Sequence, residues 1–121
     1  MRLNEVNFEN GLPVEGYGPG FFRVGGQLIH GDCLILPGGV QDWGGYDDAA
    51  PLLAARGKID VLFMGTGAEI AHLPASLRAK LEEAGLGIEA MSSPAACRTY
   101  NVLLSEGRRV GAALRALPRP A

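Results

Sequence analysis

Three groups of residues in this chain are of types that do chemistry. Gly65-Thr66-Gly67 follows an unbroken apolar run, Val61 to Met64. Backbone N–H groups in such a turn can cradle an anion such as phosphate. The dinucleotide fingerprint needs a third glycine three residues further on and a helix that starts at once. Here that position is Ile70, and the next helix is expected near Pro74. The lysine of a P-loop is also missing. A tight turn that demands small residues is therefore the simpler reading. Arg98 and Asn101 form the second group. At i and i+3 on a helix they share a face and could bind a partner's carboxylate or backbone. The same face could instead be solvated and bonded within the chain. Arg98 could also clamp an anion beside Gly65-Thr66-Gly67, because clefts form at strand ends in α/β sheets.

The third group is Cys97 with His30 or His72, a possible thiol–imidazole pair. Cys97 falls on the apolar stripe of its helix, where a thiolate is costly, so it reads as a structural thiol. A zinc site from Cys33, Cys97, His30 and His72 lacks any close ligand pair. No catalytic residue, metal ligand or cofactor is assigned. The candidate binding set is Gly65, Thr66, Gly67, Arg98 and Asn101. Near the end of the same helix, Glu106 is placed to pair with Arg108 or Arg109, a contact worth little if exposed. Trp43, between glycine-rich turns, reads either as an exposed anchor or as a residue at the core edge.

These residues need elements to hold them. Val61 to Met64 reads as a strand buried on both faces. Before it, residues 1–46 show no helical period, and Gly11, Pro13, Gly16, Gly18, Pro19 and Gly20 keep any early strand short. Phe21–Val24 and Gln27–His30 around Gly25-Gly26 form a hairpin signal. Cys33–Leu36 is a further strand stopped by Pro37-Gly38-Gly39, and Val40–Trp43 could add one more. A short helix is expected to open at Asp47 or Asp48, either of which can cap it, with Pro51 in its first turn and Gly57 beyond its end.

After the central strand, Pro74 opens a helix whose Leu73, Leu77, Leu81 and Ala84 share one face. Ile88–Met91 is a short strand. Ser92-Ser93-Pro94 then announces the longest helix, ending near Gly107. At about 100° per residue, Ala96, Cys97, Tyr100, Leu103 and Leu104 fall within an arc of roughly 120°. Arg98, Asn101 and Ser105 fall opposite. Val110–Leu114 is the last strand, its direction not fixed by spacing. Strand, helix, strand, helix, strand is an α/β arrangement behind a β meander.

The totals set the limits. A chain of 121 residues forms one domain, 1–121, large enough for a real core. Its net charge of −2 gives no electrostatic footprint for nucleic acid. Two cysteines are too few for a disulfide framework. No apolar run approaches the roughly 20 residues of a membrane helix, so no stable membrane insertion is expected. Met1–Asn7 has neither an apolar signal core nor presequence character, so the reading is cytoplasmic.

Three segments carry a resemblance. Ile59–Gly67, the stretch Met91–Gly107 with its Ala-Cys-Arg-Thr-Tyr-Asn run, and Arg108–Leu114 together resemble the Mth938-domain family. That family includes mitochondrial complex I assembly factor 3 and the adipogenesis-associated Mth938-domain protein. The likeness spans nearly the whole chain. It implies a three-layer α/β fold, with a central mixed sheet, flanking helices and an additional N-terminal β layer. It transfers no catalytic residue. Arg98, Thr99, Tyr100 and Asn101 match its motif without gaining a role from it. The mitochondrial members act through protein contacts as assembly factors for the respiratory NADH:ubiquinone oxidoreductase. The expected function is thus a non-enzymatic protein-interaction domain, assisting assembly of a respiratory or other membrane-associated complex. Its partners are proteins of unknown identity, and homo-oligomerisation is left open. The alternative is a small-molecule binder or enzyme that uses the cleft near Gly65–Gly67 and Arg98.

Overall fold

The computed structural model describes residues 11–120. Met1–Asn7, read above as lacking a leader, lies outside the described residues. The expected meander is split between two sheets: β1 (Val14–Gly18), β2 (Phe21–Val24) and β3 (Gln27–His30) form a separate antiparallel sheet, while the strands at Cys33–Leu36 and Gly39–Asp42 join the second one. The turn between β2 and β3 is Gly25-Gly26, with φ of +54° and +82°. Both positions are left-handed, which is why the hairpin needs two glycines there.

The second sheet is mixed and five-stranded. It contains β4 (Cys33–Leu36), β5 (Gly39–Asp42), β6 (Val61–Gly65), β7 (Gly87–Met91) and β8 (Val110–Leu114), in the order β5-β4-β8-β6-β7. The direction of β8 is now fixed. It lies between β6, to which it is parallel, and β4, to which it is antiparallel. Its neighbours on both sides and its Val-Gly-Ala-Ala-Leu sequence explain why all five of its residues are buried.

Side-chain alternation sorts this sheet into two cores. On one face Ile35, Phe63, Ala112 and Leu114 meet α3 (Ser93–Ser105) and the inner residues of the small sheet, Val14, Phe22 and Val24. On the other face Leu34, Leu62, Met64 and Ala113 meet Leu52 of α1 (Ala50–Ala54) and Leu77 and Leu81 of α2 (Ala75–Glu83). The result is the three-layer α/β fold expected, with the three-stranded sheet and α3 together forming one outer layer. Leu62 and Met64 are fully buried and Phe63 is nearly so, as a strand covered on both faces requires.

Helix ends follow local chemistry, with one correction. Ser92 caps α3, its Oγ accepting the Ala95 N–H at 3.3 Å, with Pro94 in the first turn. At the far end Gly107 has φ of +81°. The Gly107 N–H donates to the Leu104 carbonyl and the Arg108 N–H to the Leu103 carbonyl, both at 3.0 Å. That pair of bonds is the Schellman closure, which favours glycine at this position. The short helix does not open on Asp47 or Asp48. A 3-10 turn at Gly45–Asp47 intervenes, and α1 starts at Ala50 without a side-chain cap. Asp48 is engaged elsewhere, its Oδ2 accepting the Gly44 N–H at 3.0 Å.

Candidate functional site

Gly65, Thr66 and Gly67 stand where β6 ends, at the C-terminal edge of the parallel strands. Their polar groups are engaged within the protein. The Thr66 N–H donates to the Met91 carbonyl at 2.8 Å, and the Gly67 N–H to the Ser93 hydroxyl at 2.9 Å. The Gly65 carbonyl accepts the Arg115 N–H at 2.9 Å. The turn stitches three strand ends together, and two of the donors an anion would need are occupied.

The need for glycine at Gly65 is steric. A Cβ there would lie 2.7 Å from Ser93 Oγ and 2.9 Å from both Ser93 Cα and Leu114 Cδ2. Ser93 is fully buried and works in two directions. Its hydroxyl accepts from Gly67 and donates to the Arg115 carbonyl at 2.6 Å. Thr66 Oγ1 organises the next loop. It donates to the Glu69 carbonyl at 2.7 Å and accepts the Ala71 N–H at 3.1 Å.

Arg98 and Asn101 lie on one helix but do different things. Asn101 turns to β1: its Oδ1 accepts the Val14 N–H at 2.8 Å, and its Nδ2 donates to the Val14 carbonyl at 2.7 Å. The polar face read from the helical period is therefore partly covered by a strand, which single-helix periodicity cannot show. Arg98 is exposed, and among the described residues it has no ion pair. It borders a shallow hollow of about 270 Å³ with Thr99, Val102 and Leu103. The three glycine-turn residues do not line that hollow. Val102 is 55% exposed and lies outside the helix's apolar stripe, whose residues are buried or half-buried.

The two thiols are core residues. Cys33 is fully buried and Cys97 is 2% exposed. Burial pushes the Cys97 thiol up to about 12, opposed weakly by the positive charge of Arg98. Burial, and then the neighbouring Cys97, Asp32 and Asp42, push Cys33 higher still. His30 and His72 are exposed. Tyr100, raised chiefly by burial, donates its hydroxyl to the Leu12 carbonyl at 2.8 Å.

Trp43 settles on the core side, 5% exposed, with Nε1 donating to the Asp48 carbonyl at 3.0 Å. Arg109 pairs with Asp60 at 2.7 Å rather than with Glu106. The chain carries Arg109 out of the helix toward β8, beside the loop that enters β6.

One polar cluster is not marked by any sequence motif. Arg115, just past β8, lies 2.8 Å from Asp32 through Nε, and its guanidinium sits over the Tyr46 ring at 4.4 Å. Asp32 Oδ1 also accepts the Ala116 N–H at 2.7 Å. These residues are far apart in sequence, and only strand order brings them together.

This arrangement, a five-stranded mixed sheet under a small β meander and one long helix, defines a Mth938-like α/β domain. The chain belongs to the family described as a protein of unknown function (DUF498/DUF598), which matches residues 14–115. It is 51% identical over 118 residues to an uncharacterised protein of Rhodobacter capsulatus, covering 98% of this chain and 95% of that one. It is 33% identical to NADH dehydrogenase [ubiquinone] 1 alpha subcomplex assembly factor 3 of Danio rerio, covering 92% of this chain and 67% of that protein. The human assembly factor of the same name is 31% identical, and the chain spans 61% of its length.

Among solved structures, a Bartonella henselae protein described as an outer membrane protein matches with a TM-score of 0.81 and 37% identity, over 92% of this chain and 99% of that one. A Mth938-like domain protein of Bordetella pertussis matches with a TM-score of 0.76 and 28% identity, over 98% and 93%. Among the described residues, no helix is long and apolar enough to cross a membrane.

Proposed function

We propose that this chain is a non-catalytic protein-docking domain that assists assembly of a respiratory or other membrane-associated complex from the cytoplasmic side. The single observation that carries this reading is the outer face of α3. There a 55%-exposed Val102 stands beside Arg98, which has no ion pair among the described residues. An apolar side chain next to an exposed guanidinium is the composition of an interface anchor. The names of the vertebrate relatives, assembly factors of NADH dehydrogenase, support the choice of process. The engaged amides of Thr66 and Gly67 favour docking over anion clamping at that turn.

The test is quantitative affinity capture from the native host with the wild-type chain and with Val102→Asp. A partner enriched by the wild type and depleted at least tenfold by the variant supports the proposal. Identical capture by both proteins, or no specific partner under several lysis conditions, overturns it.

A further inference from the structure

Strand β7 is the outer strand of the mixed sheet: it pairs with β6 on one side and, among the described residues, has no strand on the other. Such an edge presents a row of N–H and C=O groups open to a further strand. The side chains around this edge are sorted by charge. Ala90 faces the α2 side of the sheet, where it helps to line an open hollow of about 320 Å³ with Ile70, Ala71, His72 and Arg78. Ile70 is 70% exposed, more than any other large apolar residue among those described. It is held there because Thr66 Oγ1 fixes the loop through Glu69 and Ala71. Among the described residues the one ion-pair contact of Arg78 is a loose one, 3.9 Å to Glu82, with side chains 41% and 57% exposed, so its charge remains available. Glu89 is exposed and, by strand alternation, points to the opposite face with Met91.

We propose that β7 accepts an extended segment of a partner protein as an added strand, and that the surrounding charges select its side chains. A residue of that segment facing the α2 side meets Arg78 and His72 and is acidic. Its aliphatic neighbours on that face contact Ile70. The residues adjacent to the acid face Glu89 and are basic. The preferred occupant is thus an extended stretch in which an acidic residue is flanked by basic ones, with aliphatic residues beyond. A second copy of this chain is a poorer occupant, because antiparallel β7–β7 pairing in its centred register sets Glu89 opposite Glu89. This surface is separate from the Arg98–Val102 face, and its test reads β7 alone.

The probe is the peptide acetyl-Thr-Val-Lys-Glu-Lys-Val-Thr-amide, titrated into isotope-labelled full-length protein and followed by backbone amide NMR. The control peptide exchanges every Lys for Glu and the Glu for Lys. The expected result is saturable shifts centred on β7 and residues 70–72, slowed hydrogen exchange of β7 amides, and at least tenfold weaker binding of the control. Arg78→Glu with Glu89→Lys, one half-buried and one exposed position, is expected to reverse the preference while the spectrum elsewhere stays unchanged. Equal binding of both peptides, shifts located away from β7, or no shift at millimolar peptide overturns the proposal. So does a wild-type dimer in which the β7 amides are already protected, which assigns the edge to a second copy.

Discussion

Asn101 holds Val14 by both of its backbone groups, at 2.8 and 2.7 Å. The two residues are 87 positions apart. An extended strand offers its N–H and C=O at a spacing that the two ends of a side-chain amide match. The contact therefore works as a clasp between the N-terminal sheet and α3. Removing it leaves a part-buried N–H and C=O without partners. Asn101→Ala is expected to cost about 2 kcal/mol, the penalty for orphaned backbone groups. Asn101→Asp keeps the acceptor, loses the donor and should fall between the two. Urea unfolding with an unchanged m-value checks the order.

Ser93 and Gly65 make a second, steric test. Ser93→Ala removes the acceptor for Gly67 and the donor to Arg115 in a fully buried place. A loss of about 2 kcal/mol is expected. Gly65→Ala forces a methyl within 2.9 Å of a backbone atom of Ser93 and should cost about 1–3 kcal/mol by overpacking. Combining the two relieves the Oγ clash but not the Cα clash. The double variant is therefore expected to be less destabilised than the sum of the singles, by thermal or chemical denaturation.

The buried thiols set an alkaline limit. The folded-state thiol of Cys97 is raised from 9.0 to about 12, so the native state keeps its proton where the unfolded chain loses it. The stability from this group is fully present below about pH 9 and declines as pH rises from there through about 12. Cys33 acts in the same direction. Denaturation midpoints should fall over that range, and Cys97→Ala should flatten the decline. A slope unaffected by the substitution would show that the thiol does not contribute. In the native state at pH 8, both thiols should also react slowly with a disulfide reagent.

The Arg109–Asp60 pair is a contrasting case. Although it is short at 2.7 Å, its side chains are about half exposed, 52% and 50%. Solvent screening leaves such pairs little net effect. Asp60→Asn is expected to change stability by less than about 0.5 kcal/mol. A larger loss would mean that the pair aligns the entry to β6 with β8, where the Asp60 N–H donates to the Arg109 carbonyl.

The fold was largely legible because its signals are local. The Gly25-Gly26 hairpin, the Val61–Met64 run, half-buried at Val61 and buried from Leu62 on, the Ser92 cap with Pro94 and the Gly107 stop each follow from neighbours within a few residues. The direction of β8 was not legible, since it depends on β4 and β6 rather than on Gly107–Arg109. Asp48 could not be read as Gly44's partner rather than a helix cap, because both roles suit an aspartate before a helix. The site was legible only in part. Arg98 is exposed as the helical period indicated. Asn101 shares that helical face but meets a strand from the other end of the chain. The Arg115–Asp32–Tyr46 cluster carries no spacing signal, because three separate segments meet only when the sheet closes.

The central claim is that the outer face of α3 meets a protein partner, and a photo-cross-linking amino acid placed at Val102 in the native host tests it most directly. A control at Arg56, which is exposed in the loop after α1, reports nonspecific reaction. The account predicts discrete, reproducible adducts from position 102 that are absent from position 56 and are lost when Arg98 is changed to Glu. Equal labelling at both positions, or no adduct at position 102, would contradict it.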